Sequence, residues 1–493
     1  MRSSGILMHL SSLPGGHGIG SMGKSAYAFV NFLKSAGQRY WQILPLCPTG
    51  YGNSPYQCFS TFAGNHFLID LDLLEEEGLL QKEEYEPLNW GENSTHLDFN
   101  RICSQRQQIL RLAFSRYRDT GEQFARFRAE NDWWLPDYTL FMALKEQHNG
   151  QPWYTWEDGI KFRDPCAIDA AFGTLAEDIQ FYCFTQFLFF RQWNNLHAYA
   201  AQQGIRIIGD VPIYVPLDSA DVWKNPEQFW LDENLNPVAV AGCPPDAFTA
   251  DGQLWGNPLY RMDTMAQAGY EWWIRRLRAA GRMYDVTRLD HFRGFESYWA
   301  VPYGDTTARN GWWMPGAGAD FIRAIQRELP DLKFIAEDLG YLTEEVLALR
   351  EMSGWPGMKV LQFAFDSKEP SDYLPHTYER NTVCYTGTHD NMTMRQWFDT
   401  ADAESVTHAR EYMNLSDREG YVWGTIRTAL ACVSDLCILQ MQDLLDLGGE
   451  ARMNLPGTLS DANWTWRATF EQISPELALK LRKLTGLYGR LAE

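Results

Sequence analysis

No run of apolar residues in this 493-residue chain approaches the roughly 18 that a membrane-spanning helix needs. The amino terminus also lacks a basic segment followed by an apolar one, so neither a membrane anchor nor a secretory signal is expected. The nine cysteines are an odd number and contain no Cys-x-x-Cys pair. A zinc site or disulfide framework is therefore not expected, and they read as reduced, mostly buried thiols of a cytoplasmic protein. Positive charge is in deficit: 43 Lys and Arg against 63 Asp and Glu leave a formal charge of -20. Such a surface repels nucleic acid phosphates and anionic membranes, so a neutral or cationic partner fits better. Internal repeats, low-complexity tracts and flexible interdomain linkers are missing too.

Aromatic residues are abundant, with 20 Trp and 23 Tyr. Sugar rings pack their C–H faces on aromatic rings, so the composition is compatible with carbohydrate binding, although most Trp in a chain this size pack in the interior. By length alone about three domains would be expected, but a barrel with insertions can hold this many residues around one core.

Short runs rich in Ile, Val, Leu, Phe and Tyr alternate with helical patterns, as in parallel strands joined by crossover helices. Strands are expected at Gly5 to Leu10, Tyr40 to Pro45, Ile205 to Val211, Val286 to Asp290, Lys333 to Glu337, Met358 to Phe363, Thr382 to Tyr385 and Cys437 to Met441. Eight strands are what an α/β (β/α)8 TIM barrel requires. Ser25 to Ser35 reads as an amphipathic crossover helix ended by Gly37, and Thr343 as the cap of a helix through Arg350. Two gaps are too long for simple crossovers, so the expected organisation is one catalytic barrel over 1–493 with two large insertions. The first, about 46–204, holds helical stretches at Ser104 to Arg118, Asp137 to Gln147 and Ala176 to Gln203. The second, about 212–285, starts as a Pro- and Trp-rich loop and ends in a helix near Glu271 to Ala280.

Chemistry-bearing residues gather at the carboxyl ends of these strands. Side chains alternate along a strand, so Arg288 and Asp290 point to the same side, the mouth of a barrel. A fixed cation beside Asp290 would favour its ionised form, as a nucleophile requires, although the pair could equally be a structural ion bridge. Glu337 ends the next apolar run, where partly apolar surroundings would keep its proton near neutral pH for acid/base work. Asp338 follows it directly, and the roles of the two are interchangeable at this stage. In Thr386-Gly-Thr-His-Asp-Asn391, Asp390 and His389 could bind sugar hydroxyls, ligate a metal or begin the next helix. No second His-rich cluster supplies further ligands, so a metal site is not expected. Asp210 ends the third strand, where it could pair with Arg288.

Each motif alone is weak, but four polar clusters on the third, fourth, fifth and seventh strand ends form a constellation. Asp210-Val-Pro-Ile-Tyr214, Arg288-Leu-Asp-His-Phe-Arg-Gly294, Ala336-Glu-Asp-Leu-Gly340 and Thr388-His-Asp-Asn391 resemble the signature regions of the alpha-amylase clan. The likeness is greatest to the 4-alpha-glucanotransferases, or amylomaltases, of glycoside hydrolase family 77. It continues in Gly52-Asn-Ser-Pro-Tyr-Gln57, Pro244-Pro-Asp246, Gln253 to Tyr260 and Arg452-Met-Asn-Leu-Pro-Gly457. The resemblance implies Asp290 as nucleophile, Glu337 as general acid/base and Asp390 as transition-state stabiliser. It places Asp210, Arg288, His291 and His389 around the reacting glucose unit, with Ser54 among the sugar-binding residues and Tyr56 stacked on the ring. Trp255 and Phe363 would form the acceptor side, with Asp246 and Gln253 in a loop over the cleft and Asn454 to Gly457 and Asn463 as weaker candidates. It also implies the short form of the family, lacking an added amino-terminal module, with no cofactor.

The expected substrates are maltooligosaccharides and starch- or glycogen-derived alpha-1,4-glucans, and the expected reaction is a retaining double displacement. Carboxyls about 5 to 5.5 Å apart would suit retention. Alternatives are an alpha-glucan hydrolase using the same groups and an inactive carbohydrate-binding relative. Oligomeric state has no sequence signal.

Overall fold

The computed structural model describes residues 2–118, 121–245, 250–340, 342–365 and 371–492. In chain order its strands are β1 (Ser3–Leu7), β2 (Tyr40–Gln42), β3 (Arg206–Val211), β4 (Ala239–Cys243), β5 (Gln253–Pro258) and β6 (Val286–Leu289). They are followed by β7 (Ser297–Pro302), β8 (Trp312–Pro315), β9 (Phe334–Ala336), β10 (Gly357–Val360), β11 (Thr382–Tyr385) and β12 (Leu436–Gln440). Eight of them form one sheet in the order β10-β11-β12-β1-β2-β3-β6-β9, and every adjacent pair in it is parallel. The Ala336 N–H donates to the Pro356 carbonyl at 2.9 Å, which brings β9 against the start of β10 and closes a (β/α)8 barrel.

All eight strands expected from the sequence are present, but most stop earlier than the apolar runs that announced them. The run through Leu10 leaves the ladder after Leu7 and turns as a 3-10 helix at Leu10–Ser12. The run to Phe363 leaves after Val360 and becomes a 3-10 turn, Leu361–Phe365. Tyr40 to Pro45 pairs only to Gln42, and the β6, β9 and β12 runs each end one residue early. For the runs at β1, β2, β10 and β12 the cause is common. Apolar residues at the barrel mouth are buried by packing after the backbone has turned out of the sheet, so hydrophobicity outlasts pairing.

Local signals place the crossovers. The first helix spans Lys24–Ser35, and Gly37 follows it at φ +70°, a left-handed position that suits glycine. Thr343 caps Glu344–Ser353 by accepting the Val346 N–H. On the barrel wall Gly209 of β3 meets the ring of Tyr284, where a Cβ would collide with it. This lets the helix Glu271–Met283 approach the sheet.

The segment between β2 and β3 contains the helices Phe99–Arg116, Leu135–Gln147 and Ala176–Gln202. Two fully buried amides of the last helix satisfy backbone that has no strand partner. Gln186 accepts the Gly64 N–H at 2.7 Å and donates to its carbonyl at 2.9 Å, and Gln192 does the same for Asp70. Lys145 also reaches Asp218, beyond β3, at 2.6 Å.

A second, antiparallel sheet, in the order β5-β4-β7-β8, has no counterpart among the strands expected from the sequence. Two of its strands lie in the 212–285 insertion, read as loop then helix, and two between β6 and β9. These strands are short, interrupted by Gly242 and Gly256, and do not alternate apolar with polar, so no period-two signal marks them.

Candidate active site

The ends of β3 and β6 are joined by a buried cation. Arg288, 3% exposed, places Nη1 at 2.9 and 2.7 Å from the two oxygens of Asp210 and at 2.8 Å from Oδ1 of Asp290. Strand register pairs Asp210 with Arg288, so the contact follows from the parallel ladder itself. Asp210 is itself buried, and its Oδ2 also accepts the Tyr56 hydroxyl at 2.7 Å. One guanidinium thus serves two carboxylates, and removing one member of such a buried set costs about 3 to 5 kcal/mol. Asp290 keeps a quarter of its side chain exposed, toward the cleft.

After Asp290 the chain turns sharply because His291 adopts a left-handed conformation, φ +51° and ψ +51°. That turn aims the His291 N–H at Glu337 Oε2 at 2.6 Å, while the Leu339 N–H reaches Oε1 at 2.9 Å. Glu337 is 9% exposed. Burial raises its pKa most and the Asp290 charge adds to this; Arg288 and the two N–H donors oppose, and the net result is about 8. The neighbouring Asp338 faces away. Its Oδ1 accepts the Met358 N–H at 2.6 Å and its Oδ2 stands 3.4 Å from Arg350 Nε, so it ties β9 to β10 beside the barrel closure. Geometry therefore separates two carboxyls that the sequence left interchangeable.

Beyond β11 the third carboxylate lies in a polar setting. His389 Nε2 stands 3.3 Å from Asp390 Oδ2, and Asn454 donates to Oδ1 at 2.6 Å. Burial pushes the Asp390 pKa up, but His389, Asn454 and Arg288 together outweigh it and hold it at about 2. The Tyr56 ring stacks on His389 at 5.1 Å and 16°, and Trp464 lies 5.9 Å from both rings. Asn454 was only a weak candidate from the sequence, and Arg452, which donates to the Asp390 carbonyl at 2.8 Å, was not one. Both lie in the Arg452-to-Gly457 motif. Trp464 gave no signal, since Trp464-Thr-Trp466 reads as ordinary packing.

Tyr56, Arg288, Asp290, His291, Glu337, His389, Asp390, Asn454 and Trp464 line one open cleft of 1730 Å³, whereas Asp210, expected from the sequence to contact sugar, is buried behind Arg288 and Tyr56 and does not line it. Ser54, Gln253, Trp255, Phe363 and Asn463 line it as well. Ser54 Oγ accepts the Tyr56 N–H, Gln253 Oε1 accepts the Trp255 indole N–H at 3.2 Å, and Trp255 meets the His291 ring edge-on at 4.8 Å. Burial lowers the His291 pKa to about 4, so its ring is neutral near pH 7. Asp246 lies outside the described residues. Among the described residues no group of three or more His, Cys, Asp or Glu is arranged to hold a metal ion. Chemically, the cleft offers a carboxylate beside a fixed cation, a protonated carboxyl, a second carboxylate of low pKa, and aromatic faces around them.

A sequence-family model described as 4-alpha-glucanotransferase matches residues 8–472. The chain is 49% identical over 486 residues to a 4-alpha-glucanotransferase of Clostridium butyricum, which spans 98% of this chain and 100% of that protein. It is 45% identical over 502 residues to a 4-alpha-glucanotransferase of Thermus thermophilus, covering 99% of each. The solved amylomaltase of Streptococcus agalactiae, in complex with acarbose, superposes with a TM-score of 0.97 at 41% identity, covering 100% of both chains. With barrel, cleft and near full-length identity in agreement, the chain belongs to the 4-alpha-glucanotransferases of glycoside hydrolase family 77.

Proposed function

We propose that this enzyme moves segments of alpha-1,4-glucan from a donor maltooligosaccharide or starch chain to the 4-hydroxyl of glucose or another glucan, with retention. The whole chain acts as one catalytic barrel whose two insertions shape the cleft. Asp290 attacks the anomeric carbon and forms a bond to C1, while the Glu337 proton passes to the departing 4-oxygen and the reducing-side segment leaves. The acceptor 4-hydroxyl then attacks C1, Glu337 takes its proton, and the bond to Asp290 breaks. Asp390 stabilises the oxocarbenium-like state and holds sugar hydroxyls with His389. Tyr56 stacks on the reacting ring, and Trp255 and Phe363 receive the acceptor. Arg288, His291, Ser54, Asp246 and Gln253 complete the sugar contacts, and Asp210 holds Arg288 and Tyr56 from behind.

The observation that carries this reading is the division of labour between two adjacent strand ends: Asp290 beside the Arg288 cation, and Glu337 buried with its pKa near 8. Transfer rather than hydrolysis is favoured by the aromatic acceptor wall, which keeps water from the intermediate. No organic cofactor enters the scheme, and the site of action is the cytoplasm.

Pure protein incubated with maltotriose is expected to give glucose and a ladder of longer maltooligosaccharides at constant reducing-end count. A steady rise in reducing ends would mean hydrolysis. Asp290→Asn is expected to bind glucan nearly as wild type does and to lose turnover by more than about a thousandfold; substantial residual activity would remove Asp290 as the nucleophile.

A further inference from the structure

The antiparallel sheet borders the cleft. Across it, Leu254 of β5 registers with Gly242 of β4, Gly242 with Trp299 of β7, and Trp299 with Trp313 of β8. All four residues line the same cavity as Asp290 and Glu337. Gly242 stands at the middle of the row, where close packing leaves no room for a Cβ beside the Gln253 carbonyl and Val301.

At the far edge Trp313 is 43% exposed yet held in place. The Arg293 guanidinium lies 4.1 Å from its centroid on one face, and the Trp299 ring meets it edge-on at 5.2 Å and 70°. Trp299 is itself fixed by its indole N–H on the Ala308 carbonyl at 2.8 Å. Arg293 stands three residues beyond Asp290 on the 3-10 turn Phe292–Phe295, so the platform is tied to the turn that carries the nucleophile candidate. Glu296, whose Oε2 accepts the Ser297 hydroxyl, and Thr306 line the cavity nearby and supply hydroxyl-binding groups. A large aromatic face that is exposed and already ordered costs little conformational entropy to use.

We infer that Trp313, with Trp299 and Leu254, forms a remote platform for glucose units on the reducing side of the acceptor, and that it sets preference for longer acceptors. This rests on the proposed transferase reading and deepens it. The acceptor side is indicated because the row begins on the strand that carries Trp255, next to it in the chain, whereas Tyr56 and Asp390 group with His389. The ligand chemistry is an apolar pyranose face over an indole with hydroxyls at its rim.

The test uses the full chain with saturating amylose as donor and either labelled glucose or reducing-end-labelled maltotetraose as acceptor. Trp313→Ala is expected to lower the ratio of kcat/KM for maltotetraose over that for glucose by about fivefold to tenfold, mainly through KM for maltotetraose. Trp313→Phe should recover most of that ratio. Trp312→Ala, on the alternate face of the same strand, should leave it at the wild-type value. An unchanged ratio in a folded Trp313→Ala variant overturns the platform, as does an equal loss for both acceptors. A loss that follows donor length instead of acceptor length overturns its placement on the acceptor side. Absence of labelled products from the wild type would overturn the transferase reading and this inference with it, whereas wild-type transfer with an unaltered ratio in Trp313→Ala removes this inference alone.

Discussion

At the scale of single residues, Glu337 offers the most direct test. Its folded pKa, raised to about 8, stands above the ordinary carboxyl value, so the proton that the proposed first step requires is held below that pH and lost above it. The kcat/KM for maltotriose is expected to fall about tenfold per unit on the alkaline side of pH 8; a profile flat to about pH 9 would contradict this assignment. The same shift bears on stability. A carboxyl whose folded pKa is raised contributes stability that is fully present below its unfolded value and lost as pH rises through the folded one. The Tm advantage of Glu337→Gln over wild type should therefore grow from about pH 5 to about pH 8. Tyr56→Phe keeps the stack on His389 but removes a hydroxyl from the buried Asp210. A stability loss of about 1 to 2 kcal/mol is expected in denaturant titration, with kcat/KM reduced less than by Tyr56→Ala. The three carboxylates were legible in the sequence because each stands at the end of an apolar run. The sequence also led to the expectation that Glu337 holds its proton, but the low pKa of Asp390 was not legible, since Asn454, which donates to it, comes from a late loop distant in sequence.

At the scale of elements, the barrel strands were legible because parallel strands buried on both faces read as continuous apolar runs bounded by helices. The antiparallel sheet was not, for the opposite reason. Trp312 and Trp313 are both exposed, so no alternation marks their strand. Asp338 illustrates what an element contributes to a site without entering it. Its carboxyl holds the Met358 N–H and stands by Arg350 where β9 meets β10, next to the peptide that bears Glu337. Asp338→Ala is expected to cost about 2 to 3 kcal/mol, read as a lowered denaturant midpoint, because a buried N–H loses its acceptor. Glu337→Gln, which keeps an acceptor oxygen for the His291 and Leu339 N–H groups, should instead lose turnover without lowering that midpoint. Equal midpoints for the two variants would refute this division between closure and chemistry.

For the molecule as a whole, charge and shape act separately. The net charge of -20 sets a field that keeps polyanions away, but a neutral glucan does not respond to it. The kcat/KM for maltotriose is expected to change less than about twofold between 50 and 500 mM NaCl, measured at fixed pH; a steep salt dependence would point to a charged substrate. Among the described residues no helix is long and apolar enough to cross a membrane. Composition, strand order and the four strand-end motifs were determined by the sequence alone, because hydrophobic periodicity and chain order are local properties. Tertiary structure decided which neighbouring carboxyl faces the cleft, how a late loop brings Asn454 to Asp390, and that a second sheet walls the site with Trp299 and Trp313. Those outcomes depend on long-range packing and on the burial it imposes. No window of sequence contains both partners of such a contact.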